Sequence, residues 1–386
     1  AGSADACGRR HIAPVRPETD SAMIRFPFLL LCLLLSVACG RRHTAVTDPE
    51  FSATAPGDSL HAVRIPVGGD FLGEYPVLTL GERIVMQNPF RLNKCYSVCR
   101  FSGDSLVKEG EFLMRGRGPL EMMIPQDVFD PEAERLTVFG LYNGENRMLR
   151  IGSGDLYDPS QWEYGTLDFL EGYQLESPCR LTDTTFLTIG HTVGSFSPFS
   201  IFDPGGERVT PLDFRFPEPP LDLPASQQAI FWTGWLHRHP QRSRFLYGSQ
   251  NFRYLLVFDV TEDGRVEVVR RLYDKMPEAH PSGNPGHQFD MDDSCPHGFF
   301  PLAVDDRFIY VGYMQDTYGE QRERVRAGDL RQLFPSRINV YDWDGNFVRR
   351  LVLDRPVGPM VVHDGRLIAW SVDPETAEEM LVSYTL

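Results

Sequence analysis

The sequence has few cysteines and none of the short motifs that mark the common catalytic sites. Seven cysteines occur among 386 residues, and neither a Cys-x-x-Cys pair nor a dense cysteine framework appears. Stability must therefore come from a buried core rather than from disulfides. The sequence also contains no GxSxG nucleophile elbow, no HExxH metal motif and no P-loop. These absences argue against elbow-type serine hydrolases, HExxH zinc peptidases and P-loop nucleotidases.

Positive charge is also in short supply. The chain has 38 Lys and Arg against 53 Asp and Glu, which gives a formal net charge of -15. An acidic surface repels phosphate backbones and anionic lipid head groups, so nucleic acid is not an expected partner. After residue 38, no segment is apolar over the roughly 20 residues that cross a bilayer. The mature chain is therefore expected to lie on one side of a membrane.

One apolar run does occur early in the chain. A short cationic start at residues 23–25 precedes an apolar stretch, which ends in small residues and then Cys39. This order is typical of a lipoprotein signal peptide, in which the cysteine becomes a lipid anchor to the membrane. The predicted segments are a start assigned too early or disordered padding (1–22), a signal peptide (23–38), and a lipid anchor with a flexible tether (39–60).

From Tyr75 onward the chain consists of short runs rich in Val, Ile, Phe, Tyr and Leu, separated by Gly, Asp, Asn and Pro. The runs recur in groups of four, which begin near residues 76, 126, 178, 229, 300 and 360. A hairpin with an aromatic residue, Asp and Gly recurs between the third and fourth runs, as at 258–264 and 341–345. Because tight hairpins need a glycine with positive φ, these turns mark equivalent places in a repeat. The sequence therefore predicts an all-β fold, a six-bladed β-propeller.

The last group contains only three runs, and a run at His61–Val67 can supply the fourth. Pairing this N-terminal strand with Met380–Leu386 in the C-terminal blade would close the ring and remove exposed sheet edges. The propeller is thus predicted over residues 61–386. The alternatives are a β-sandwich or two smaller β domains.

Two further motifs suggest a family. The segment Gly116–Met122 follows the first blade, and Ile338–Gly345 contains the clearest hairpin. Together with the signal peptide and the sixfold repeat, they resemble the TolB-like six-bladed β-propeller lipoproteins of anaerobic Gram-negative bacteria. The resemblance implies a propeller in the cell envelope, but it carries no catalytic residues to transfer. Residues 40–43 lack the early acidic cluster that resembles surface-export signals in these bacteria, so an outer-membrane lipoprotein facing the periplasm is expected.

Three long connections indicate where a ligand would bind. They are Lys275–Gly298 between blades 4 and 5, Gln315–Ser336 within blade 5, and Leu236–Ser243 in blade 4, and we expect them on one face. Aromatic rings and polar groups there would suit a protein, peptide or glycan partner, although the same aromatics can serve blade packing and the charges can form a solvated face. The candidate ligand-binding residues are Trp232, Trp235, His237, His239, Arg242, His287, Tyr313, Tyr318 and Arg322.

The same connections contain imidazoles and carboxylates that could hold a divalent metal such as Zn²⁺. No other cofactor is predicted, and a solvated polar loop is the alternative. The candidate metal ligands are His280, His287, Asp290, Asp292, Asp293 and His297.

The leading hypothesis is a lipid-anchored propeller that binds its partner without catalysis. A metal-assisted hydrolase or lyase is one alternative, since Glu74, Glu121 and Asp127 could approach the propeller axis, where lactonase-like six-bladed hydrolases hold calcium. A scaffold subunit of an envelope complex is another. The Gly116–Glu121 segment is interpreted as a stiff turn between blades, with an anion-binding loop as its alternative.

Overall fold

A computed structural model describes most of the chain after residue 55. The described residues are 56–68, 71, 73–89, 93–141, 145–192, 194–273, 276–282, 289–328, 334–373 and 375–386. The predicted signal peptide, the lipid anchor at Cys39 and His287 lie outside these residues. No helix in the described part of the chain is long and apolar enough to span a membrane.

Three short strands come first and are followed by three blades of four strands each. The short strands are β1 (Asp58–Leu60), β2 (Val63–Arg64) and β3 (Val67–Gly68). Blade 1 contains β4 (Tyr75–Leu80), β5 (Arg83–Gln87), β6 (Lys94–Ser102) and β7 (Ser105–Met114). Blade 2 contains β8 (Gln126–Asp130), β9 (Arg135–Gly140), β10 (Arg147–Gly152) and β11 (Glu163–Thr166). Blade 3 contains β12 (Tyr173–Arg180), β13 (Phe186–Thr192), β14 (Phe196–Asp203) and β15 (Arg208–Pro211).

The second half adds three blades, a small hairpin and two short helices. Helix α1 (Ala225–Phe231) precedes blade 4, which contains β16 (Gly234–Arg238), β17 (Arg244–Ser249), β18 (Tyr254–Val260) and β19 (Val266–Tyr273). The hairpin of β20 (Ala279–Pro281) and β21 (Phe289–Met291) follows. Blade 5 contains β22 (Phe299–Val304), β23 (Phe308–Tyr313), helix α2 (Tyr318–Arg326), β24 (Arg337–Asp342) and β25 (Phe347–Leu353). Blade 6 contains β26 (Val357–His363), β27 (Arg366–Val372) and β28 (Glu379–Thr385).

Each blade is an antiparallel meander whose strands pair in chain order from the inside of the ring to the outside. This arrangement confirms the predicted six-bladed β-propeller. A central strand of a blade is covered on both faces by neighbouring blades, so it is a nearly continuous apolar run rather than an alternating one. Strand β18 shows this directly, because all but one of its seven residues are buried.

The core lies between neighbouring blades and is rich in aromatic rings. Phe199 of blade 3 stacks on Phe258 of blade 4 with ring centroids 4.5 Å apart. Phe139 of blade 2 meets the edge of Phe186 of blade 3 at 4.9 Å. Burying such a side chain contributes about 1.5–3 kcal/mol. Contacts of this kind hold each blade to the next around the ring.

The recurring hairpins form as the sequence predicts at three places. Gly103, Gly264 and Gly345 all have positive φ between third and fourth strands. In the Gly345 turn, Asp342 accepts backbone hydrogen bonds from Asp344 and Asn346 at 2.9 and 2.8 Å. The blade 3 hairpin differs, because its positive φ falls on Glu207 rather than on either preceding glycine.

The N-terminal strands form a strap, defined here as residues 58–68, along the outer edges of three consecutive blades. β1 pairs with β25 of blade 5 in parallel, β2 pairs with β28 of blade 6 in antiparallel fashion, and β3 pairs with β7 of blade 1 in parallel. The contact with blade 6 is only two residue pairs long, Val63 with Ser383 and Arg64 with Val382. The segment expected as one strand over 61–67 is thus divided among blades, and the first strand begins at Asp58, before the predicted start.

Two predictions near blades 3 and 4 are wrong. Blade 3 begins with a strand at Tyr173, earlier than the run at Cys179 suggested. The run at Ala229–Gly234, expected as the first strand of blade 4, forms the end of helix α1 and the residues that follow it. A short apolar run fits a buried helix turn as well as a strand. Here Ala229 and Phe231 are the buried positions of the helix.

Candidate functional site

The antiparallel order of strands gives the disc two distinct faces. Connections between blades, and those between second and third strands, emerge on one face, which we call the connection face. The hairpins between first and second and between third and fourth strands emerge on the other, the hairpin face. The β20–β21 hairpin and helix α2 therefore both lie on the connection face, as the sequence predicts.

Residues 236–243 do not share that face. Because β16 begins at Gly234, residues 239–243 join the first and second strands of blade 4 and lie on the hairpin face. The ring of His239 lies 4.9 Å from that of Trp343, which belongs to another hairpin of this face. Arg242 Nε donates to His239 Nε2 at 3.0 Å. The prediction that all three long connections crowd one face is wrong for this one, and His239 and Arg242 lie across the disc from Tyr318 and Arg322.

On the connection face, the insertion before blade 5 is fastened to helix α2. Tyr318 donates its hydroxyl to the carbonyl of Asn251 at 2.8 Å, and its ring lies 3.9 Å from that of His297. Arg322 forms an ion pair with Asp293 at 2.9 Å. Thr317 and Glu320 form a capping box at the start of the helix. These contacts make the two insertions one layer over blades 4 and 5.

Two of the residues suggested as metal ligands, Asp292 and Asp293, contact other side chains. His280 and Asp290 face each other across the β20–β21 ladder, and Asp292 accepts from both the backbone and the hydroxyl of Ser294. Burial lowers the pKa of His297 to about 4. Among the described residues, no three His, Cys, Asp or Glu side chains come close enough to hold a metal ion. A site involving His287, outside the described part, stays a prediction.

Two of the candidate aromatic residues are buried within the blades. Trp232 is 1% exposed and stacks on Phe216 at 4.2 Å. Tyr313 is fully buried, with the guanidinium groups of Arg253 and Arg350 at 5.7 and 5.8 Å from its ring centre. Both side chains serve packing, the alternative that the sequence left open.

Trp235, in contrast, is 38% exposed at the start of the innermost strand of blade 4. It begins a row of four rings on the connection face, which we call the mouth aromatics: Trp235, Phe300, Phe334 and Trp370. Successive ring centroids are 6.0, 6.4 and 5.1 Å apart. The indole nitrogen of Trp370 has no hydrogen-bond partner among the described residues. The row spans three blades at the mouth of the central channel.

Two carboxylates lie on the innermost strands, and one of them faces the channel. Glu176 is exposed in the middle of β12, and an exposed side chain on an innermost strand opens on the channel, since neighbouring blades cover its flanks. The surrounding channel wall partly desolvates Glu176 and raises the pKa of its carboxyl group, and burial raises the pKa of Asp127 on β8 to about 6. Tyr96 donates its hydroxyl to Asp127 at 2.9 Å, which limits the shift. His237, on β16, has its pKa lowered to about 4 by burial and is neutral at pH 7.

Two hydrogen bonds fix these three inner strands side by side. Ser177 N donates to Gln126 Oε1 at 3.0 Å, and Leu236 N donates to Ser177 Oγ at 3.1 Å. The first bond joins Gln126, which precedes Asp127 in blade 2, to Ser177, which follows Glu176 in blade 3. Both carboxylates therefore lie beside the same contact between these two blades. The channel wall is thus held in place without a ligand.

Glu176 is not among the residues predicted from the sequence, although a signal for the inner strands is present. Proline cannot donate to a ladder and is tolerated at strand starts and bulges. A residue followed by proline lies at a bulge of the innermost strand in four blades, at Tyr75–Pro76, Ser177–Pro178, Phe300–Pro301 and Gly358–Pro359, and in blade 2 Ile124–Pro125 directly precedes β8. Blade 4 has Trp235 in this region instead. Alignment of these prolines would have identified the channel wall.

The other two acids proposed for the axis are engaged locally. Glu74 is 4% exposed and lies 3.8 Å from Lys108 Nζ, on the outermost strand of blade 1. Glu121 folds back into its own turn, where Oε2 accepts from Gly118 N at 2.9 Å. In an anion-binding loop, the alternative interpretation of this segment, a bound anion would accept from this backbone amide. Here the Glu121 carboxylate accepts from it instead. Gly116–Glu121 is the stiff turn between blades that the sequence favoured.

This turn yields a stability prediction. A Cβ on residue 116 would collide with Oε2 of Glu121, so Gly116→Ala should displace the carboxylate and cost about 1–3 kcal/mol in free energy of unfolding. Combining Gly116→Ala with Glu121→Ala should cost clearly less than the sum of the single changes. Gly154, whose Cβ would meet nothing within 4 Å, provides the control. Urea denaturation of the four variants measures the coupling, and strictly additive effects would contradict the proposed clash.

The fold and the channel mouth define the class of protein, a six-bladed β-propeller with a ring-lined opening. The sequence model of the TolB-like 6-blade propeller-like family matches residues 173–365, and the chain belongs to this family. No curated protein matches the chain.

Solved structures resemble the chain in fold. A putative exported protein from Bacteroides fragilis has 9% identity and a TM-score of 0.50, over 89% of this chain and 97% of that one. A member of the DUF4221 family from Bacteroides vulgatus has 11% identity and a TM-score of 0.49, over 85% and 96%. An auxiliary nutrient binding protein from Bacteroides thetaiotaomicron has 10% identity and a TM-score of 0.45, over 81% and 70%.

Proposed function

We propose that the chain is a lipid-anchored binding protein of the cell envelope, tethered to the outer membrane through Cys39 and facing the periplasm. It engages a protein, peptide or glycan segment at the mouth aromatics and does not transform it. The envelope location rests on the predicted signal peptide and anchor. The binding role rests on the exposed indole of Trp235 in its row of rings.

The chemistry of the mouth supports this role. An indole face that is 38% exposed at a channel entrance loses contact with water when a flat apolar surface covers it. Sugar faces and extended peptide side chains both present such surfaces, while the carboxylate of Glu176 in the channel can fix orientation. Because the rings belong to three blades held by the core, little ordering is required on binding.

A binding screen tests the proposal. We expect the purified protein to retain hits on a glycan array or a library of extended peptides, and Trp235→Ala to weaken those hits by at least about tenfold. Phe347 is also 38% exposed but lies on an outermost strand, so Phe347→Ala is the matched control and should leave binding unchanged. Hits that survive Trp235→Ala would place the binding site elsewhere.

The two other hypotheses make different predictions. A hit that the protein cleaves, together with a stoichiometric metal ion lost in His287→Ala, would favour the metal-assisted hydrolase or lyase. Isolation of the protein in one stable envelope complex, whose formation does not change when the mouth aromatics are substituted, would favour the scaffold subunit.

A further inference from the structure

A cavity of about 320 Å³ lies on the outer rim between blades 1 and 2, away from the channel mouth. Its wall includes Lys94, Met114, Pro119, Leu120 and Trp162, which come from β6, the end of β7, the turn between the blades and the residue before β11. We propose that this cavity is a second binding site, specific for a small aromatic or branched apolar carboxylate.

The walls make the cavity apolar. Trp162 is 9% exposed and donates its indole N–H to the carbonyl of Asp155 at 2.9 Å, so the ring that faces the cavity has no polar group left to offer. Met114, Pro119 and Leu120 complete an apolar lining. A volume of this size is near the lower limit of ligand pockets, which suits one ring or a short branched chain rather than a nucleotide or an oligosaccharide.

The cavity is preformed because its roof is the clamped turn. Glu121 closes that turn through Gly118 N at 2.9 Å, and the guanidinium of Arg147 donates to the carbonyls of Arg117 and Glu121, both at 3.2 Å, and of Gly118. Arg115 donates to the carbonyls of Met123 and Asn88 at 2.6 and 2.7 Å. A roof held by this many bonds costs a ligand little ordering free energy.

Charge selects the head group of the ligand. Glu121, the acidic member of the wall, is already bound within the turn. Lys94 is half-buried and forms no ion pair or side-chain hydrogen bond with any residue of the described part. Although the net charge of -15 disfavours anions over the protein as a whole, the ammonium group of Lys94, which has no ion pair in the described part of the chain, attracts a carboxylate locally, and the apolar walls accept an apolar body. Both a free organic acid and the C-terminal apolar residue of a peptide have this chemistry.

The test uses 3-phenylpropanoate and its neutral amide as probes, with titration calorimetry or ligand-observed NMR. The wild-type protein should bind the acid at least about tenfold more tightly than the amide, and Lys94→Gln should remove that preference. Leu120→Trp, which fills the cavity, should abolish binding of both. Trp235→Ala should change nothing, which separates this site from the mouth aromatics.

N-acetyl-L-phenylalanine distinguishes the two sources. Binding of this probe as tightly as 3-phenylpropanoate indicates a peptide C-terminus, and exclusion of it indicates a free acid. Equal affinity for acid and amide in the wild-type protein, binding that persists in Leu120→Trp, or no binding of either probe at millimolar concentration would each overturn the proposal. Unchanged thermal unfolding of Lys94→Gln shows that its effect is not a loss of fold.

Discussion

Replacing Trp232 with alanine should lower the free energy of unfolding by about 3–5 kcal/mol. The indole is 1% exposed and packs against Phe216, Phe252 and Tyr254 at 4.2, 5.0 and 5.2 Å between ring centroids. Removing it leaves a cavity that surrounding blade sheets cannot collapse to fill. Equilibrium urea denaturation, with an unchanged m-value as the sign of an unchanged denatured state, measures the loss.

Trp235, three positions along, is the internal control. Its ring is 38% exposed, so Trp235→Ala should cost no more than about 1 kcal/mol while it reduces ligand binding at the mouth. The two substitutions remove the same side chain at nearby positions, one at the end of helix α1 and one in β16, and separate packing from recognition. Equal destabilisation by both would mean that Trp235 is a core residue and would remove the basis of the proposed mouth site.

Deleting the N-terminal strap through Gly68 should have the second large effect. Ile65, 3% exposed, packs between blades 6 and 1, and loss of a buried isoleucine side chain alone costs about 2–5 kcal/mol. The deletion also uncovers the outer strands of blades 5, 6 and 1, and uncovered strand edges pair with other chains. We therefore expect a much lower melting temperature and concentration-dependent association, measured by thermal unfolding and by light scattering.

A shorter truncation that ends at residue 55 leaves the strap intact and should match the full chain in both measurements. Ile65→Ala and Val63→Ala provide a milder pair, because Val63 lies in the same strap but is 62% exposed. Only Ile65→Ala should destabilise strongly. A strap-deleted protein that stays monomeric with an unchanged melting temperature would show that the edges are protected by other means.

Much of the ring could be predicted from local turn chemistry. Asp–Gly hairpins such as Asp263–Gly264 and Asp344–Gly345 appear at the same place in successive blades, and positive φ at both glycines is what the turns need. Because these signals are local, they survive in a single sequence. They locate the third and fourth strands of those blades, while the six recurring groups of runs predict the number of blades.

The region around Trp232 shows why the candidate site was harder to predict than the ring of blades. Residues 229–234 are apolar enough for either a strand or a buried helix turn, and the choice depends on what covers them in space. Placing a strand there shifted the blade 4 strands by several positions. The shift put Leu236–Ser243 on the connection face, and His239 and Arg242 entered the candidate site although they lie on the hairpin face.

The strap illustrates a second limit. Its three strands are two or three residues long, and each is specified by an edge on a different blade rather than by its own pattern. Pro66 accepts a bond from Leu106 N at 2.8 Å, and Ala62 N donates to Asp354 at 3.0 Å. Such long-range partners do not affect the local pattern of apolar residues, so the sequence predicts one continuous strand at His61–Val67.

The same strap constrains the order in which the protein can fold. Ala62 and Asp354 are 292 positions apart in sequence, so a segment that is made early has to wait for partners that are made last. High contact order of this kind slows folding and prolongs the lifetime of aggregation-prone intermediates. Blades 2, 3 and 4 each consist of contiguous strands and can form without the strap, whereas the toroid closes only once blades 5 and 6 have formed.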